Sequence, residues 1–203
     1  MFQFDDKTTF SSENPFELYR SWKKEADVNE VNDPDAIALA TVDTNGLPNV
    51  RIVLLRIIED DGFVFFTNYN SIKGNEIHSS GKVAFVSHWK SIRRQIRVRG
   101  LISKDETKLS DDYFNQRPLE SRIGAWASKQ SSVLTTKKLL LERINQLRED
   151  LGENPPKPNF WGGFRIRPLE MEFWNDGQFR VHDRFLWKRE YLDADWTINR
   201  LSP

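Results

Sequence analysis

The chain has no cysteine. That absence removes disulfides, thiolate-bound metals and a cysteine nucleophile together. Its three histidines, His78, His88 and His182, lie far apart without the spacing of a metal site, so no metal is expected. Long apolar runs are lacking as well. No stretch reaches the roughly twenty apolar residues of a membrane span, and the opening MFQFDDKTTFSSENPF has no basic segment leading into an apolar one, so the cytoplasm is the expected location. Net charge is missing too, because 30 Lys and Arg offset 30 Asp and Glu. A neutral chain advertises neither nucleic acid nor an acidic membrane as a partner. Nucleotide-loop motifs do not occur: no GxGxxG follows a strand, and GNEIHSSGKV has Val83 where a phosphate loop needs Ser or Thr.

What the chain does have is short periodic segments. Its 203 residues suit one domain, 34–203, preceded by a polar arm, 1–33, with a helix expected over Pro15–Ala26. Strand-like runs follow: AIALATV, NVRIVLLRIIE, GFVFFTN, KVAFVSHW and RQIRVRGLIS. The turns DTNGLP and EDDG favour antiparallel hairpins, and SIKGNEIHSS reads as a short helix. After residue 104 the period becomes helical in KDETKLSDDYFNQ and TTKKLLLERINQLREDLG. RPLESRIGAWASKQSS, between them, is too small and polar for a core helix. Three closing strands are expected in FRIRPLEMEFW, FRVHDRFLWKRE and DWTINRL. Antiparallel strands with helices inserted between them predict an α+β domain built on a barrel.

Candidate chemistry rests on basic side chains at fixed strand positions. Arg51 and Arg56 bracket an apolar run, and Gln95, Arg97 and Arg99 share a face opposite Ile96 and Val98. A rigidly held guanidinium suits bidentate recognition of phosphate; a solvated strand face would carry the same pattern. The alternation of QFRVHDRF predicts a strand with Arg180, His182 and Arg184 on one face, close to Trp174. Tyr113, Arg117 and Ser121 recur at spacings of four on what would be one helical face interrupted by Pro118, and together they offer several donors to a phosphate. A planar heterocycle carrying phosphate would suit both groups.

Six blocks, RIVLLR, FVFFTNYNSIKG, RRQIRVRG, YFNQRPLESRIGAWASKQSS, FWGGFRIRPLEMEFW and RVHDRF, closely resemble in order and spacing the pyridoxine/pyridoxamine 5'-phosphate oxidase family. The resemblance implies an antiparallel split β-barrel with peripheral helices, the FMN-binding split barrel, forming a homodimer with FMN at the subunit interface. It implies oxidation of pyridoxine or pyridoxamine 5'-phosphate to pyridoxal 5'-phosphate with O2 as acceptor. Carried over by motif, FMN would be held by Arg51, Ile52, Val53, Leu54, Leu55 and Arg56, by Phe66, Thr67 and Lys73, and by Gln95, Gln130, Ser131, Trp174 and Arg184. Substrate would meet Arg56, Tyr113, Arg117 and Ser121, with Arg180 and His182 facing its ring as the catalytic pair. Asp183 is expected to turn away and pair with a basic neighbour.

Three positions depart from the family pattern: Arg56 stands for Lys, Ile72 for Arg, and Phe66 for Tyr. Other readings of the same residues are a flavin oxidase of another substrate, such as the phenazine-pathway oxidases, and a barrel that binds flavin or pyridoxal phosphate without turnover. An RNA-binding strand in HWKSIRRQIRVRG would need a basic surface, which neutral net charge disfavours.

Overall fold

The computed structural model describes residues 9–203; the first eight residues of the expected arm lie outside that range. Strand β1 (Ala36–Val42) alternates along its length, with Ile37, Leu39 and Thr41 buried. It lies between β2 (Pro48–Ile58) and β4 (Lys82–Trp89), antiparallel to both. The β1–β2 turn is set by Asp43, whose carboxylate accepts from the Asn45 and Leu47 amides, and by Gly46 at φ 83°. Strand β3 (Phe63–Asn68) pairs with β2, and β5 (Arg94–Lys104) pairs with β4.

Strand β6 (Trp161–Asn175) closes the barrel. Along one edge it pairs with β5; on the other, Trp161–Ile166 pairs with β3 and Glu170–Asn175 pairs with β7 (Asp183–Lys188). The first half therefore completes a six-stranded antiparallel barrel, and the second half splits away to carry β7 and β8 (Thr197–Leu201). The Gly pair after Trp161 permits the closure: a Cβ at Gly162 would lie 2.1 Å from the Tyr69 hydroxyl.

Helix α1 (Pro15–Asn29) begins as expected, with Asn14 Oδ1 accepting from the Phe16 and Glu17 amides. It buries Phe16, Leu18, Tyr19, Trp22 and Ala26 in the same core as the strands. Three buried indoles, Trp22, Trp89 and Trp187, each donate to a backbone carbonyl, of Thr9, Pro34 and Glu13 respectively. Much of the aromatic content is therefore core.

Helix α2 (Ile72–Ser80) joins β3 to β4, capped by Ser71 and closed by Gly81. The helical period after residue 104 starts later than its pattern: β5 runs to Lys104 and α3 spans only Leu109–Gln116. Helix α4 (Leu119–Ala127) forms where the sequence reads as too polar for a core helix: it buries only Ile123 and Ala127, and Arg122 and Trp126 tie it to Asn154 and to the Pro156 carbonyl. Helix α5 (Lys137–Leu151) has no buried residue and ends at Gly152.

One expected strand is corrected. QFRVHDRF is not a strand from its start: Gln178–Arg180 forms a 3₁₀ turn, with Phe179 and Arg180 at φ 55° and 65°. The cause is register. Asn175 faces Asp183 across β6–β7, so residues 176–182 must supply the whole reversal. The reversal is tight enough that a Cβ at Gly177 would sit 1.8 Å from the Val181 carbonyl oxygen. Arg180 and His182 therefore lie in the connection and only Arg184 lies in a strand. Asp183 pairs with Arg200, the basic neighbour expected of it.

Candidate active site

Strands β2 and β3, helix α2 and the α3–α4 junction enclose a cleft of about 700 Å³. From β2 it receives Arg51, Ile52, Val53, Leu54 and Arg56; Phe66, Thr67, Lys73 and Gln130 also line it. Leu55 does not: it is 3% exposed and packs in the core, as strand alternation requires. Tyr113, Arg117 and Ser121 enter the same cleft. Arg117 caps α3 and Pro118 starts the next helix, so the interrupted helix still delivers the trio to one place.

Lys73 is buried, and its ammonium donates only to neutral oxygens: Gln130 Oε1 at 2.8 Å, Thr67 Oγ1 at 3.2 Å and Ser71 Oγ at 3.4 Å. Burial, then the Arg51 charge, lower its pKa from the ordinary lysine value, with Glu76 opposing them. Arg51 itself is neutralised. It donates to Glu76 Oε2 at 3.0 Å and to Thr41 Oγ1, while Thr41 and Asn49 also donate to Glu76. Burial alone would raise the Glu76 carboxyl, but these three hydrogen-bonding partners hold it below its ordinary range. Arg56 likewise has a carboxylate, Asp35, at 3.0 Å. Ile72, half exposed in the first turn of α2, adds no donor.

The other end of the cleft is aromatic. The Phe66 ring stacks on Tyr113 at 4.2 Å and 9°, and Trp161 stands parallel to both. The Arg117 guanidinium lies 4.8 Å from the Trp161 ring centroid. Its Nη1 is buried with no hydrogen-bond partner, and burial lowers its pKa. Trp161 and Glu76 were not among the residues singled out from sequence. The FWGG block contains the first, but nothing local to residue 76 distinguishes its carboxylate from a solvated one.

The remaining expected site residues assemble elsewhere. Gln95, Trp174 and Arg184 lie side by side across β5, β6 and β7. Arg184 is fixed by Glu172, 2.7 Å away, and by the Ser202 carbonyl. His182 packs against Trp174, ring centroids 4.5 Å apart, and its Nδ1 lies 3.2 Å from the Gly177 amide nitrogen and 3.3 Å from Asp176 Oδ1. Arg180 is exposed beside it. Ser131, at φ 70°, faces a neighbouring depression. None of these six lines the large cleft of its own chain. Among the described residues there is no cluster of three or more His, Asp or Glu able to hold a metal, and no helix is long and apolar enough to cross a membrane.

The family model described as pyridoxamine 5'-phosphate oxidase matches residues 24–149, which hold the whole lining of the cleft except Trp161. The chain belongs to that family. A second model, the pyridoxine 5'-phosphate oxidase C-terminal dimerisation region, matches residues 161–203, the segment bearing Trp174, His182 and Arg184. Pyridoxine/pyridoxamine 5'-phosphate oxidases of Ruegeria sp. (strain TM1040) and Cereibacter sphaeroides (strain ATCC 17023) are 53% and 57% identical, covering 98% and 96% of this chain and 99% and 97% of theirs. The solved structure of PhzG from Burkholderia lata 383, in complex with tetrahydrophenazine-1-carboxylic acid, is 30% identical with a TM-score of 0.90, covering 100% of this chain and 98% of that one. Oxidases of the family are flavin-dependent.

Proposed function

We propose that the chain oxidises pyridoxine 5'-phosphate and pyridoxamine 5'-phosphate to pyridoxal 5'-phosphate, with FMN as its flavin and dioxygen as the final acceptor. The observation that carries this reading is a pair of cations in one cleft, Lys73 and Arg117, which no carboxylate neutralises. They come from different elements, so each can serve one phosphate. A buried ammonium among neutral oxygens and a guanidinium nitrogen without a partner are costly unless an anion completes them. About 700 Å³ falls within the range of ordinary ligand sites. These residues fit a phosphorylated flavin beside a phosphorylated ring.

On this reading Lys73, oriented by Thr67 and Gln130, holds the flavin phosphate, and Arg51 adds the protons that Glu76 and Thr41 leave free. Arg117 holds the substrate phosphate with the Tyr113 and Ser121 hydroxyls. FMN, when bound, supplies a two-electron acceptor that dioxygen reoxidises to give hydrogen peroxide. Gln95, Trp174, Arg180, His182 and Arg184 act from a second copy of the chain. Their separation from the cleft of their own chain and the dimerisation region that covers four of them support a homodimer with shared sites. His182 Nδ1 lies between the Gly177 amide nitrogen at 3.2 Å and Asp176 Oδ1 at 3.3 Å, and these contacts hold the ring in place. The imidazole and the Arg180 guanidinium orient the C4' substituent. Holding the ring by its phosphate makes the encounter effectively unimolecular. The same reading places the enzyme in the cytoplasm.

Protein supplied with FMN and either substrate in air is expected to form pyridoxal 5'-phosphate and hydrogen peroxide in equal amounts, with ammonia only from the amine. Bound FMN without peroxide would favour a non-catalytic carrier. Turnover of an unphosphorylated tricyclic acid instead would favour the phenazine-type reading suggested by the Burkholderia lata ligand.

A further inference from the structure

We infer that Trp161 is a positioning residue for the substrate phosphate: its indole face takes the place that a carboxylate would hold beneath the Arg117 guanidinium. The inference rests on the reading of Arg117 as a phosphate anchor.

Four arginines on the strands are tied to carboxylates. Arg51 meets Glu76 and Arg56 meets Asp35, each at 3.0 Å; Arg165 meets Asp105 at 2.8 Å; Arg184 meets Glu172 at 2.7 Å. Arg117 has no such partner among the described residues, and one of its terminal nitrogens is buried and unbonded. What holds it is aromatic: Trp161 at 4.8 Å and, less closely, Phe114 at 5.8 Å. The distinction matters for an anion site. A carboxylate would fix the fork but cancel its charge and compete with phosphate, whereas an indole fixes the cation through its quadrupole and leaves the donors free.

The indole is itself closely packed. Trp161 is 6% exposed, it opens β6 opposite Asn68, and its amide donates to the Pro158 carbonyl. The edge of Phe114 meets it at 5.0 Å. Its plane lies within 4° of the Tyr113 ring, but the ring stacked on Tyr113 is Phe66, at 4.2 Å, so the partner that Trp161 positions is Arg117. Rigid placement of the guanidinium lowers the ordering cost when substrate binds.

The test is steady-state kinetics with pyridoxine 5'-phosphate and FMN titration on the reconstituted enzyme and four variants: Trp161→Leu, Trp161→Phe, Arg117→Ala and the Trp161→Leu/Arg117→Ala double. Loss of a desolvated cation–π contact predicts a KM raised about tenfold in Trp161→Leu, and less in Trp161→Phe, which keeps a weaker ring. The kcat and the Kd for FMN should stay near wild type. Because Trp161 acts through Arg117, the double variant should be no worse than Arg117→Ala. Additive losses in the double variant, or kcat and flavin affinity falling together with KM, would overturn the inference in favour of general packing. If Trp161→Leu does not fold, Trp161→Phe decides by the same split: an unchanged KM rejects the inference. An unchanged KM in Arg117→Ala would instead remove the phosphate reading beneath it.

Discussion

Replacing Arg117 with alanine is expected to raise KM for pyridoxine 5'-phosphate by about 100-fold while the Kd for FMN stays within about twofold of wild type. Hydrogen bonds to a charged partner contribute about 1.5–3 kcal/mol, and each 1.4 kcal/mol is a factor of ten, so loss of a forked contact to phosphate reaches that size. Flavin should be spared because the FMN phosphate is assigned to Lys73, on a different element. Folding should be spared as well. The wild-type guanidinium has a buried nitrogen with no partner and a pKa lowered by burial, so its removal relieves an uncompensated charge. Equal losses of substrate and flavin affinity would refute the division of the cleft into two phosphate anchors. Substrate kinetics, a flavin fluorescence titration and a melting curve on one preparation make the check.

The second large effect is expected at Lys73. Lys73→Met should weaken FMN by about 100-fold, on the same scale for a buried charged contact, yet leave the much weaker binding of riboflavin unchanged. The comparison is informative because the two flavins differ only in the phosphate. Acidity supplies a second signature. Burial and the Arg51 charge lower the Lys73 pKa, so the phosphate-binding protonated form is lost as pH rises through that lowered value, before it would be lost at the ordinary 10.5. Wild-type affinity for FMN should therefore fall over the alkaline window below 10.5, and the Met variant should lack that fall. Arg51 cannot substitute fully, since Glu76 and Thr41 already engage it. The departures Ile72 and Phe66 sharpen the dependence on Lys73: neither brings a donor, and Phe66 serves by stacking on Tyr113.

How far the sequence could be read follows the range of the forces involved. Strands β1 and β4 match AIALATV and KVAFVSHW because alternation and flanking turns are local signals. Helix α5 ends at Gly152 for the same reason. The strand expected in QFRVHDRF failed because its alternation is local while its fate is not. Pairing of Asn175 with Asp183 leaves seven residues for a reversal, and the chain bends through two positive-φ residues to fit. The trio Tyr113, Arg117 and Ser121 was legible as a set of donors, although a broken helix rather than a continuous one presents it. Glu76 and Trp161 were illegible as neighbours of the site, because the choice of partner for a buried arginine is made only by the closed barrel. The division of the expected residues between two places is a tertiary fact of the same kind. Gln95, Trp174 and Arg184 become neighbours only through the register of β5, β6 and β7.

The most direct test of the account is the reductive half-reaction. FMN-loaded protein is mixed with pyridoxine 5'-phosphate in the absence of oxygen, and the visible flavin band is followed. The proposed activity predicts bleaching with one pyridoxal 5'-phosphate formed per flavin, and recovery of the band with hydrogen peroxide when air is admitted. A flavin that stays yellow at saturating pyridoxine and pyridoxamine phosphates would contradict it.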